Sequence, residues 1–132
     1  MKKLLDAARA AKVTVIYLIS PNSTPADVIK DVALEASELQ VQSGPDKYLN
    51  TNLDKLLKTK GIKTIIAIGT AANGAVLYTA SGAALRGLNV IIPVDGISSL
   101  DPYADYSTVF TFMNAPLVSN KTTLTKIDMI KF

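Results

Sequence analysis

The stretch that most restricts the fold runs from Thr64 to Val94. An apolar strand, a small-residue turn, a helix and a second apolar strand follow one another there without interruption. Thr64-Ile65-Ile66-Ala67-Ile68 has the continuous β-branched character of a strand buried on both faces. Gly69–Gly87, GTAANGAVLYTASGAALRG, opens on small residues, continues as a helix and ends on a glycine that can close it. Val90-Ile91-Ile92-Pro93-Val94 is the next strand. Two strands joined through one helix pair in parallel, with the helix packed across a face of the sheet. The turn at Gly69–Gly74 then presents free backbone N–H groups and the positive end of a helix dipole at the carboxyl edge of the sheet. A binding or catalytic site is expected at that edge. The helix start, where a nucleophile would be useful, holds Ala75.

The rest of the chain repeats the alternation. Residues 2–11 place Leu4, Leu5, Ala8 and, at its end, Ala11 on one helical face, and Val13–Ile19, VTVIYLI, reads as another strand buried on both sides. Thr24 followed by Pro25 and Asp27 has the pattern of a helix start, with Val28, Val32, Ala36 and Leu39 continuing an apolar face. Leu39–Gln42 reads as a short edge strand and Ser43–Asp46 as a turn. Asn50 or Thr51 can cap a helix carrying Leu53, Leu56 and Leu57, which Gly61 ends. Further helical character spans Tyr103–Met113, then a strand at Thr122–Thr125 and a last turn at Lys126–Ile130. The sequence predicts one domain over residues 1–132 and an α/β fold: a three-layer α/β/α sandwich on a mostly parallel sheet of about five strands.

Composition removes several chemistries. The chain has no cysteine and no histidine, so disulfides, thiolate catalysis and imidazole bases or metal ligands are excluded, and neither metal nor cofactor is expected. The net charge of +3 comes from lysines scattered over helix faces without interleaved aromatics, which argues against a nucleic-acid surface. Asp6 and Arg9 interrupt the first apolar run, so it reads as an amphipathic helix rather than a leader, and no run reaches membrane-spanning length. The expected compartment is the cytoplasm. Gly69–Gly74 lacks the G-x-G-x-x-G spacing of dinucleotide binding.

At the central stretch the chain resembles the isochorismatase-like cysteine hydrolases, which include nicotinamidases and N-carbamoyl amide hydrolases. Gly61–Ile66, Gly69 with its turn to Asn73, Val76, Thr79-Ala80, Ala83, Gly87 and Val90–Asp95 carry the resemblance, and Tyr48–Leu53 resembles the family's Phe-x-x-Thr-x-Leu segment. The resemblance implies an Asp on a first strand, a Lys ahead of the Phe segment and a Cys at the helix start, with the thiolate attacking an amide or related carbonyl. In this sequence Ala75 falls at the Cys position and Gln42 at the Lys position, with Lys47 a possible substitute. The first strand with its Asp is not in the sequence, which starts at the family's first helix. What the resemblance leaves is an oxyanion nest built from the N–H groups of Ala71 and Ala75, with Thr70–Ala71 the candidate cis peptide. Thr70, Ala71, Asn73, Gly74, Ala75, Asp46 and Tyr48 are the expected ligand-binding residues.

Individual residues also carry plainer readings. Asn73 can cap the helix, and Ala75 can be a packed, inert helix-start residue. Asp46 and Lys47 form an exposed pair or face the pocket mouth. Asp95 caps its own turn or supports the pocket. Tyr103 and Tyr106 line the cleft or pack their helix. Thr70, Thr79 and Ser81 have no partner in sequence to activate them. In the family, the first strand lies between those matching Val13–Ile19 and Thr64–Ile68. Without it these two are expected either to pair directly, contracting the sheet, or to be protected in a homo-oligomer. Three functions are therefore expected in order: a catalytically silent member binding a small carbonyl or carboxylate, a hydrolase acting through activated water, or a structural subunit of an oligomer.

Overall fold

The computed structural model describes all residues, Met1–Phe132. Four helices and seven strands alternate along it: α1 Lys2–Ala10, β1 Ile16–Ile19, β2 Leu39–Gln42, α2 Leu53–Thr59, β3 Thr64–Ile66, β4 Gly69–Thr70, α3 Leu77–Leu85, β5 Asn89–Pro93, β6 Ile97–Ser98, α4 Pro102–Asn114 and β7 Thr122–Thr125. Every strand pair is parallel. This is the α/β architecture the alternation predicts. Gly61 and Gly87 follow α2 and α3 at φ 65° and 88°, the left-handed geometry in which a helix end turns away and which glycine adopts without steric cost.

The strands do not form one continuous ladder. β1 pairs with β2, β3–β5–β7 form a second sheet, and β4 pairs with β6 as a short third. The expected direct pairing of the Val13–Ile19 and Thr64–Ile68 strands does not occur. Leu39 and Ser43 donate to the carbonyls of Val15 and Ile19, so the odd residues of β1 face β2 and the backbone groups of Ile16 and Leu18 face the opposite, unpaired edge. Asn89 donates to Lys63 and Ala67 to Ile91, so Thr64 and Ile66 likewise turn their backbone away from β5. The VTVIYLI run is correspondingly less buried than its composition suggests: Val13 and Leu18 are exposed and Ile19 alone is fully buried.

The core lies between the three-stranded sheet and the helices. Val90 and Ile92 of β5, Ala80, Ala83 and Ala84 of α3, Leu53 and Leu57 of α2 and Phe112 of α4 form one buried cluster, with Val41 and Tyr48 reaching it from the other side. α1 buries Leu4, Leu5 and Ala8 of the face its periodicity marks, while Ala11, beyond the last helical residue, is exposed. The predicted helix after Thr24 is not formed. Asp27 accepts from both the N–H and the hydroxyl of Thr24, as a capping pattern should, but only two isolated 3-10 turns follow, Pro25–Asp27 and Lys30–Val32. The carbonyls a helix would use are taken by side chains: Tyr17 donates to Val32 at 2.7 Å and Arg9 to Ala33 at 2.8 Å. Arg9 also holds Glu38 through two bonds of 2.8 Å, tying α1 to the lead-in of β2. No helix is long and apolar enough to cross a membrane.

Candidate active site

The turn after β3 is built almost as the resemblance implies. The Thr70–Ala71 peptide is cis. Residues Ala72–Val76 form a single π-turn, with Gly74 at φ −124°, ψ −107°, and the regular helix starts only at Leu77. The helix therefore begins two residues after Ala75, a detail that small residues of uniform helix preference conceal in the sequence. Within the turn the Ala71 carbonyl accepts from the N–H groups of Gly74 and Val76 and passes over that of Ala75 between them. The Ala71 N–H has no partner in the chain. Thr70, Ala71 and Asn73 are solvent-exposed, Gly74 and Ala75 half-buried, and Ala72 and Val76 buried beneath them. Two flanking buried residues anchor the turn while its middle stays open to solvent.

Asn73 does not cap the helix. Its carboxamide oxygen accepts from the Ser99 hydroxyl at 3.2 Å. β4 pairing with β6 brings Ser98 beside Thr70 and so carries Ser99 to the turn. Two-residue strands have too few positions for a period, so the sequence does not announce this contact. Asp101 then caps α4, accepting the Tyr103 N–H at 2.8 Å.

Asp46 and Lys47 are not an exposed ion pair. Asp46 accepts the Tyr48 N–H at 2.9 Å, a local turn bond. Lys47 is 1% exposed, and its amine donates to the carbonyls of Ile19 at 3.0 Å and Ser43 at 2.8 Å, at the carboxyl ends of β1 and β2. Burial without a carboxylate partner lowers its pKa from the usual lysine range. Gln42 donates to the carbonyls of Ser20, Pro21 and Ser23, clamping the loop that leaves β1.

The segment carrying Lys47 runs along α3. Thr79, one turn beyond Ala75, donates to the Pro45 carbonyl at 3.4 Å, and the Tyr48 ring packs against Gly82 beneath the Arg86 guanidinium, 4.1 Å from the ring centroid. The Tyr48 hydroxyl is buried without a partner, and burial pushes its pKa up to about 12. Asp95 does not cap its own turn: it accepts the Ile127 N–H at 2.9 Å and so caps the closing turn of the chain. Tyr103 and Tyr106 neither line this region nor pack their helix; both point into solvent. No cluster of carboxylates converges to hold a metal ion.

Parallel strands joined through helices, with an open backbone turn at a carboxyl strand end, define an α/β protein of the parallel-sheet class. The chain belongs to the isochorismatase family: the family model for the isochorismatase domain matches residues 1–124. A secreted isochorismatase effector of Verticillium dahliae is 27% identical over 112 residues, covering 76% of this chain and 59% of the relative, so the chain spans rather more than half of that protein. Among solved structures, N-carbamoylsarcosine amidase from Thermoplasma acidophilum superposes with a TM-score of 0.82 at 21% identity, over 99% of this chain and 82% of that one. The nicotinamidase/pyrazinamidase of Bacillus subtilis gives 0.82 at 12% identity, over 95% and 81%. The fold is thus the isochorismatase-family hydrolase fold.

Proposed function

We propose that the chain binds a small carbonyl or carboxylate compound at the Thr70–Ala75 turn and does not turn it over by the family's thiolate route. The observation that carries this reading is the unpartnered Ala71 N–H in an open turn whose following helix begins beside a methyl group instead of a thiol. Such N–H groups stabilise a carboxylate or a polarised carbonyl, but single oxyanion donors contribute about 10²–10³ in rate and start no reaction alone. Hydrolysis also needs a nucleophile or an activated water. Asp46 and Lys47, the groups that could serve, are engaged by Tyr48 and by the strand-end carbonyls.

The names of the solved neighbours suggest the ligand chemistry to try: nicotinamide, N-carbamoylsarcosine and the carboxylate nicotinate. At a ligand concentration ten times Kd, stabilisation is about 1.4 kcal/mol, roughly a 4–6 °C rise in Tm. That rise is expected without product formation, and it is expected to vanish in Ala75→Leu, which puts a bulky side chain into the turn. Turnover of either amide by the chain as it stands would overturn the reading in favour of activated water. No thermal response to any of the three would overturn it in favour of a structural subunit. The cytoplasm remains the expected compartment, to be checked by fractionation because the Verticillium relative is secreted.

A further inference from the structure

Asparagine is followed by glycine once in the chain, at Asn73–Gly74, in the middle of the open turn. The backbone nitrogen of the next residue lies close enough to an asparagine carboxamide to attack it within the same molecule, and a glycine there has no side chain in the way. Each of the six other asparagines is followed by a residue that carries one. The turn leaves room as well. A Cβ built on Gly74 would meet nothing nearer than the Ala71 Cβ at 3.9 Å, and Gly74 lies at φ −124°, ψ −107°, outside the helical ladder. Asn73 is solvent-exposed. The one hydrogen bond of its side chain is that to Oδ1, so the amide nitrogen, which would be the leaving group, is free.

Ser99 supplies the electrostatics. Its hydroxyl donates to Asn73 Oδ1 at 3.2 Å, the oxygen on which negative charge develops as the Gly74 nitrogen adds to Cγ. A donor on such an oxyanion is worth about 10²–10³ in rate where it is fully preorganised. One bond opposes the attack. The Gly74 N–H donates to the Ala71 carbonyl at 3.0 Å, and the nitrogen must lose that proton first. A backbone hydrogen bond of ordinary net strength slows the step about 2–13-fold, so even part of the Ser99 effect outweighs it.

We propose that the turn is a self-modifying site in which Asn73 deamidates through Gly74. The Gly74 nitrogen gives its proton to hydroxide and bonds to Asn73 Cγ. The Cγ–Nδ2 bond breaks, and the departing nitrogen takes a proton from water and leaves as ammonia. Water then opens the five-membered imide at either carbonyl, giving aspartate or isoaspartate at this position. No oxidant, reductant or cofactor takes part. The product sets a carboxylate in the middle of the turn, and the isoaspartate form lengthens the main chain there by one atom. Like charge then opposes a carboxylate ligand at the same turn. That consequence alone rests on the ligand reading; the deamidation does not.

Trypsin releases Thr64–Arg86, a peptide whose only asparagine is Asn73. After incubation of the whole folded chain at neutral and mildly alkaline pH, this peptide is expected to gain the mass of NH2 exchanged for OH. It should separate into aspartate and isoaspartate forms, ahead of every other asparagine peptide and faster as pH rises. Ser99→Ala should slow the conversion at least about 10-fold, whereas Ser99→Thr, which keeps the hydroxyl, should retain it. Gly74→Ala should nearly stop it, and circular dichroism checks that each variant is folded. Conversion of Asn73 no faster than of the other asparagines overturns the proposal, and so does a rate that Ser99→Ala leaves unchanged. The charge consequence is read apart, by thermal shift with nicotinate. Where the native chain responds, Asn73→Asp should not, and an equal response in both overturns that consequence. A native chain that does not respond counts against the ligand reading, while the peptide map still decides the deamidation.

Discussion

Tyr48 carries a hydroxyl that the fold does not use. Its ring is packed between Gly82 and Arg86, and the oxygen is buried with no partner. Tyr48→Phe is therefore expected to stabilise the chain by about 1 kcal/mol, read from chemical denaturation. The native phenol ionises at about 12 against an ordinary value of 10. Between those values the unfolded chain loses its proton first, so stability falls as pH rises through the window, and Tyr48→Phe should flatten that fall. Glu38 gives the opposite signature. Its bond to Arg9, first among the causes, holds the carboxyl below its ordinary value of 4.5. Its contribution is complete above that value and is lost as pH drops through the lower native one. Glu38→Gln should cost about 1–3 kcal/mol at neutral pH and remove part of the acid dependence in a urea titration. Lys47→Ala leaves a cavity and two carbonyls short of a donor, and a loss of about 2–4 kcal/mol in the same titration is expected.

At the scale of single elements, Gly82 in α3 tests how tightly the Tyr48 loop is packed. An added Cβ would lie 3.0 Å from the Tyr48 ring. Gly82→Ala gains about 1 kcal/mol of helix propensity, but crowding a buried ring typically costs about 1–3 kcal/mol, so a net lowering of Tm is expected. In hydrogen exchange, the amides of Ile16, Leu18 and Ile66, on unpaired strand edges, should exchange faster than those of Val90 and Ile92 in the middle of a sheet. The elements most legible in the sequence were those with a strong local cause. Val90–Val94 is apolar throughout, Leu53–Leu57 is periodic with a glycine beyond it, and the alternation of types fixes a parallel arrangement. The segment after Thr24 departs from the helix its sequence predicts because the start signal is real but its carbonyls are claimed by Arg9 and Tyr17 from other parts of the chain. No local pattern reports such competition.

For the molecule as a whole, the alternation gives the α/β class, the motifs between Tyr48 and Asp95 carry the family resemblance, and the cis peptide at Thr70–Ala71 is expected from that resemblance alone. The environments of the candidate site residues were not legible. Lys47 looks like a surface lysine in sequence, and only the tertiary fold buries it between the ends of β1 and β2. The division of the sheet was also hidden, because each strand's composition records that it expects neighbours without saying whether both are supplied. That division separates residues 1–42, with β1 and β2, from the three-stranded portion beyond α2. The chain crosses between them at Lys47 and Tyr48, one residue bonded to β1, the next packed on α3. Stretched between its termini, the molecule has a built-in weak seam. Once the contact of α1 with the closing turn gives way, load falls on the Lys47–Ile19 bond, the Tyr48 ring and the apolar contacts of Ile16 and Val41 with the core instead of on a ladder sheared all at once. A force–extension trace should therefore show two ruptures, the earlier releasing at most about 3.6 Å of contour for each residue ahead of the seam.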